Sequence, residues 1–363
     1  MKKGLSWIFT VVILSLLGLA NAQEKVILDT DFNVLGDDGQ VGFMAAQLDA
    51  EGVIDLLGIT VVSGNQWHDQ ELVEALKAVE RMGIQDKVGV YRGAQYPLVH
   101  DYDTYPQEKA MFGYGYGGAW GNPKPTEDDL VAPPDGFAKN TKPAKQNATE
   151  FIIEQVKKYP NEVSILAIGP MTNVALAIRQ DPDIVPLIKR IVYMGGACDV
   201  PGNVTPAAEF NWWFDPEAAR IVLREAIPQA VIPLDVTDKT QFNKAIYDRI
   251  VNDKVSSTPV TELHKWRFEE QFAENPDYTT NMWDTLAMAY LVDPSYATDV
   301  RELWVDMDVS FSPNYGRSLC YYQNPPENAL EKMNVVFGFD NKRFYDFYVD
   351  LATRPVPVKS GSN

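Results

Sequence analysis

Two cysteines and three histidines in 363 residues leave little scope for soft-metal chemistry. A structural zinc site takes four Cys or His ligands at short spacings, whereas Cys198 and Cys320 stand far apart, as do His68, His100 and His264. Disulfides do not build this fold either, and the single pairing of Cys198 with Cys320 is left open. Positive charge is in deficit, 32 Lys and Arg against 50 Asp and Glu, for a net charge of −18. That balance argues against nucleic acid or an anionic membrane surface as partner. No internal repeat and no Gly/Ser or charged linker divides the chain.

The one long apolar stretch, Leu5 to Leu19, follows Lys2 and Lys3 and precedes the small-x-small sequence Ala20-Asn21-Ala22. This is the pattern of a secretory signal peptide over residues 1–22, and it is shorter than the roughly 20 residues that span a bilayer. The expectation is a secreted or periplasmic protein, with residues 23–363 as one domain and no stable membrane association. A homo-oligomer is compatible with the acidic surface.

Short β-branched runs alternate with helical spacing along the mature chain, the signature of an α/β fold. The expected architecture is a single open, mostly parallel, Rossmann-like sheet with helices on both faces. Strands are predicted at Lys25 to Leu28, Ile54 to Val62, Val88 to Tyr91, Val163 to Ile168, Arg190 to Met194, Ala230 to Leu234 and Leu303 to Val305. Helices are predicted at Asp69 to Met82, Ala148 to Lys158, Thr172 to Arg179, Pro216 to Glu225 and Trp283 to Leu291. Residues 104–147 lack periodicity and are rich in Gly, Pro and aromatics, which suggests a long lid-like loop. Tyr114, Tyr116 and Trp120 are its candidates for stacking on a flat ligand.

The first strand delivers Asp29-Thr30-Asp31-Phe32-Asn33-Val34-Leu35-Gly36-Asp37-Asp38. Four carboxylates in ten residues repel one another unless they share a hard cation, and oxygen-only ligation suits Ca²⁺ or Mg²⁺. An EF-hand loop would need Gly and Glu where Val34 and Gln40 stand. The turns after later strands, Ser63-Gly64-Asn65, Gly169-Pro170-Met171-Thr172-Asn173 and Gly195-Gly196-Ala197, would share the same carboxyl edge of the sheet, the usual ligand side.

The acidic cluster and these turns occur together with Asp199-Val200-Pro201-Gly202-Asn203-Val204-Thr205-Pro206-Ala207-Ala208-Glu209-Phe210-Asn211 and Asp215-Pro216-Glu217-Ala218-Ala219. In this set the chain resembles the inosine-uridine-preferring nucleoside hydrolases, from Val26 to about Pro294. The resemblance implies Ca²⁺-dependent hydrolysis of the N-glycosidic bond of a ribonucleoside to base and ribose. It makes Asp31 both metal ligand and catalytic base, with Asp38, the Ile168 carbonyl and Asp284 as further ligands. Asp37 and Asn211 would hold ribose hydroxyls, Asn203 and Glu209 the 5′-hydroxyl, and Asn65 and Met194 would line the sugar pocket.

The chain departs from the family's usual Asp-Thr-Asp-Pro-Gly-x-Asp-Asp opening by carrying Phe32-Asn33 and two extra residues before Asp37. It also has Trp283 where the family commonly has a His that protonates the leaving base. Trp283 and Asn33 look like the purine-preferring inosine-adenosine-guanosine branch, in which the base stacks between aromatics; Trp283 is then the catalytic aromatic and a lid residue, Tyr114 foremost, its partner. Two other readings stay open: a metal-dependent phosphohydrolase of haloacid dehalogenase type, and a non-catalytic periplasmic nucleoside- or sugar-binding protein.

Overall fold

In a computed structural model, described for residues 23–252, 254, 256–326 and 330–357, the chain folds around a sheet that has nine strands among these residues. The proposed leader, 1–22, lies outside the described residues. The strands are β1 (Glu24–Thr30), β2 (Ile54–Val61), β3 (Gly89–Arg92), β4 (Val163–Ala167), β5 (Arg190–Met194), β6 (Gln229–Ile232), β7 (Gln241–Asn243), β8 (Thr279–Asn281), β9 (Ala297–Met307), β10 (Ser318–Tyr321) and β11 (Lys332–Phe339). Spatial order is β10-β9-β11-β6-β5-β4-β1-β2-β3, and β7 pairs with β8 as a separate ribbon.

From β3 across to β11 every pairing is parallel, and only β9 and β10 run against their neighbours. The six strands β3-β2-β1-β4-β5-β6 follow the doubly wound order, so the chain reverses direction between β1 and β4 and leaves a crevice at their carboxyl ends. Burial on both faces explains why β1 and β4 read as unbroken apolar runs. The seven predicted strands are all present with shifted ends, Leu303 to Val305 covering only part of the later half of β9.

Helix Asp37–Ala50 was not foreseen. Its residues from Asp38 to Leu48 are all buried, so it has no polar stripe and shows no amphipathic period. It packs alongside Trp283–Val292, another helix buried nearly all round.

Residues 104–147 are less irregular than their sequence suggests. Helix Tyr105–Phe112 and two 3₁₀ turns break up the stretch. Tyr105, Tyr114 and Trp120 bury themselves with Phe210, Trp213, Phe214 and Tyr315 in an aromatic cluster of their own. Gly118, at φ 54°, brings its neighbour Ala119 close enough to donate from N to the Gly64 carbonyl at 2.8 Å; a Cβ at Gly118 would sit 2.3 Å from that oxygen. A left-handed, side-chain-free residue is what this approach requires.

Cys198 and Cys320 form a disulfide that ties the loop after β5 to β10 across 122 residues. Closing so long a loop restricts the unfolded chain strongly. Thiol titration of the native protein should therefore find no free cysteine, and the Cys198→Ser/Cys320→Ser variant should lose about 2–4 kcal/mol in denaturant unfolding. Two titratable thiols in unreduced protein would refute the pairing.

Candidate active site

At the carboxyl ends of β1, β2, β4 and β5 lies a cleft of about 440 Å³. Asp37 and Asp284 line it, and Asp31 and Asp38 are buried outside that lining. Asp31 follows β1 directly, while Asp37 and Asp38 occupy the first turn of helix Asp37–Ala50 and Asp284 the first turn of Trp283–Val292. Both helix amino ends therefore face the cluster with their positive poles, which favours carboxylates there.

The two extra residues of the opening motif are absorbed by Asn33. Its Oδ1 accepts from the Gly36 amide and its Nδ2 donates to Asp38 Oδ2 at 3.0 Å. That closed loop lets the chain turn into the helix immediately before Asp37. Asp38 Oδ1 accepts from Thr30 Oγ1 at 2.5 Å, and its Oδ2 accepts from Asn65 Nδ2 at 2.8 Å. Asp31 Oδ2 accepts from the Asn65 amide at 2.8 Å.

Carboxyl oxygens of Asp37, Asp38 and Asp284 lie within 4.8 Å of one another. Asp37, assigned to the ribose from sequence, thus stands with two of the expected metal ligands, while Asp31 adjoins the trio through Asp38. Burial raises the affinity of all four for protons: Asp31 is pushed up to about 8, Asp37 is raised, and Asp38 and Asp284 are raised well above the usual carboxylate range. Mutual repulsion adds to this at Asp31, Asp38 and Asp284. Asp31 Oδ1 and Asp284 Oδ1 are buried with no hydrogen-bond donor among the described residues. The gathered carboxylates of Asp37, Asp38 and Asp284, with donorless buried oxygens on Asp31 and Asp284, fit a hard cation, so the donor set is suited to a metal.

The sugar-side residues named from sequence converge on the same cleft. Asn33, Asp37, Asn65, Ile168, Met194, Asn203, Glu209 and Asn211 all line it. Their existing bonds qualify the expected roles. Asn211 Nδ2 already donates to the Ile168 carbonyl at 2.9 Å and the Met194 carbonyl at 3.2 Å, and Asn203 Oδ1 accepts from the Phe210 amide at 2.9 Å. Glu209 caps the short helix Phe210–Phe214 by accepting from Asn211 and Trp212 amides, and it also accepts from Gly196 N at 2.9 Å. Burial pushes its carboxyl up to about 7.

One assignment is corrected. Tyr114 does not line the cleft: it is buried in the aromatic cluster, where its hydroxyl donates to Glu108 at 3.1 Å and its ring meets Trp213 edge-on. The alternation of Gly and aromatic residues in 113–118 gave no clue to which ring points inward. Tyr116 is the lid residue at the cleft, donating from Oη to Asn65 Oδ1 at 3.0 Å and leaning on Phe210 with centroids 4.9 Å apart. Trp120 is buried behind it.

At the far end the cleft is walled by Trp283, Phe268, Thr280, Asn281 and Arg267. Of these only Trp283 was named from sequence; the others come from helix Pro259–Glu274 and β8, which carried no motif. None of the three histidines lines the cleft. His68 is held by Gly93 N and Asp69, His100 by Glu108, and His264 by Val260 and Tyr348. Trp212 and Trp213 are core residues.

The profile described as inosine-uridine preferring nucleoside hydrolase matches residues 26–346. The pyrimidine-specific ribonucleoside hydrolase RihB of Escherichia coli O17:K52:H18 (strain UMN026 / ExPEC) is 32% identical over 305 residues, 82% of this chain and 87% of that protein. The purine-preferring ribonucleoside hydrolase from Gardnerella vaginalis superposes with a TM-score of 0.70 at 27% identity, over 91% of this chain and 98% of that one. A structure titled inosine-guanosine nucleoside hydrolase shares the fold, with a TM-score of 0.74 at 23% identity over 90% and 98% of the two chains. With an acidic, metal-competent floor beneath a cleft of nucleoside size, this chain belongs to the inosine-uridine preferring nucleoside hydrolase family and is a ribonucleoside N-ribohydrolase.

Proposed function

We propose that the enzyme is Ca²⁺-dependent, prefers purine ribonucleosides and works outside the cytoplasm. The observation that carries the metal reading is the pair of donorless buried oxygens, Asp31 Oδ1 and Asp284 Oδ1, within an all-oxygen set. Asp37, Asp38 and Asp284 have their carboxyl oxygens gathered within 4.8 Å, and with Asp31 and the Ile168 carbonyl they would hold the ion. Calcium, when bound, supplies chelation of the vicinal ribose hydroxyls and a charge that acidifies the attacking water.

Asp31 then takes the water's proton as general base. Asp37, Asn65 and the free Oδ1 of Asn211 orient the sugar, and the surrounding carboxylates stabilise the oxocarbenium-like ribose as the glycosidic bond breaks. The base lies towards Trp283, with Tyr116 as the second ring. With no histidine in the cleft to protonate a departing base, a leaving group with its own proton acceptor is favoured, and purine N7 is one. A ring face stabilises the protonated base by about 1 kcal/mol. The RihB relatives, named pyrimidine-specific, point the other way, so base preference is decided by a rate ratio. The Cys198–Cys320 bond supports an oxidising compartment, in keeping with the leader pattern of residues 1–22. Among the described residues no helix is long and apolar enough to cross a membrane.

Ribose release from inosine and uridine, measured in parallel with Ca²⁺ and after chelation, tests the reading. Release should be faster from inosine and should fall at least tenfold on chelation; release from neither substrate would refute the assignment. In Trp283→Ala, kcat/KM should drop about tenfold more for inosine than for uridine, given roughly 1–2 kcal/mol for stacking on a desolvated ring. Equal losses would remove the stacking role.

Stability of the metal-free protein gives an independent check. Asp31 at about 8 and Glu209 at about 7 bind protons more tightly in the folded than in the unfolded chain, so their contribution favours folding at low pH and is lost as pH rises from about 4 through 8. The unfolding midpoint of chelated protein should therefore fall across that window and Ca²⁺ should restore it, most at pH 8. A midpoint that Ca²⁺ does not move would count against the metal site.

A further inference from the structure

Glu71 lies outside every motif, yet it is fully buried in the first turn of helix His68–Arg81, behind the acidic floor. Its Oε1 accepts two main-chain bonds, from Gly64 N at 3.2 Å and Gln66 N at 2.7 Å. These flank Asn65, and the turn is closed further by Ser63 Oγ donating to the Gln66 carbonyl at 3.1 Å. Asn65 in turn bridges the cluster at three points: its amide to Asp31 Oδ2, and its Nδ2 to the Asp31 carbonyl at 3.2 Å and to Asp38 Oδ2 at 2.8 Å. The turn has little slack, because a Cβ on Gly64 would stand 2.2 Å from Asp31 Oδ2.

A helix first turn welcomes an acid, but that alone is a weak reason to bury one beside Asp31 and Asp38, which repel it. Two main-chain donors converging on one oxygen hold both sides of Asn65 at once. We propose that Glu71 is a positioning residue for hydrolysis, gripping the 63–66 turn so that Asn65 holds Asp31 and Asp38 in register for the base and metal roles. The inference rests on the hydrolase reading above and adds a residue to it. Glu71 touches no substrate; it acts through Asn65.

Two conservative variants separate reach from the carboxyl group itself. Glu71→Gln keeps an acceptor oxygen at full length, whereas Glu71→Asp keeps a carboxyl in the helix first turn but withdraws it by one methylene. A misplacement of about 1 Å at a reacting group costs on the order of 10²-fold. Glu71→Asp should therefore lose about 100-fold in kcat with weakened Ca²⁺ binding by calorimetry, while Glu71→Gln stays within about tenfold of wild type. In a double-mutant cycle with Asn65→Ala, Glu71→Asp should add little to the loss already caused by Asn65→Ala. Near-native kcat in Glu71→Asp, or fully additive losses in the cycle, would overturn the assignment. Because wild type is measured alongside, absence of nucleoside hydrolysis in every protein would instead refute the functional reading.

Discussion

Burying several carboxylates at one point is the constraint around which this molecule is organised. Repulsion among Asp31, Asp37, Asp38 and Asp284 in a water-poor site costs far more than any one surface ion pair returns. Each compensating device is a dipole or a donor aimed at the cluster: two helix amino ends, the Asn33 and Asn65 amides, and the Thr30 hydroxyl. None of these is a full positive charge. A Lys or Arg there would neutralise the cluster and leave no affinity for a cation. Donorless oxygens on Asp31 and Asp284 complete a site that is stabilised enough to fold yet retains attraction for an ion.

The same constraint explains motif residues that never reach the cleft. Asp29, two residues before Asp31, accepts from Thr60 Oγ1 at 2.6 Å and Asn173 Nδ2 at 2.8 Å, and burial pushes it up to about 6. Asn173 Oδ1 accepts from Ala94 N, so one side chain links β1 to the loops after β3 and β4. Thr172 Oγ1 donates to Asp215, which caps helix Pro216–Leu223 and receives the Leu98 amide. These contacts fasten the loop ends to one another beneath the site. Asp-x-Asp and Met-Thr-Asn are therefore half chemistry and half joinery.

How much could be read in advance follows from how local the signal is. The parallel strands were legible because burial on both faces writes unbroken β-branched runs. Asp31, Asp38, Ile168, Asp284 and the residues named for the sugar could be picked out as candidates because they sit in compact motifs, and the structure gathers them in or beside one cleft. Helix Asp37–Ala50 was not, since a helix buried all round has no period to detect. Glu71, Arg267, Phe268, Thr280 and Asn281 reach the site only through tertiary packing. Tyr116 was separable from Tyr114 only once the aromatic cluster around Trp213 showed which ring had a core to join.

The two ends of the cleft are therefore built by different means. On the proposed reading the sugar end is made of strand termini of the central sheet and helix amino ends, where a shift of an ångström disturbs the core. On the same reading the base end is made of Tyr116, the helix Pro259–Glu274 and β8, which lie outside that sheet. A fold with this division can keep one way of activating water and holding ribose while base preference drifts, which makes Trp283, Tyr116 and Phe268 better guides to the substrate than any residue of the acidic floor.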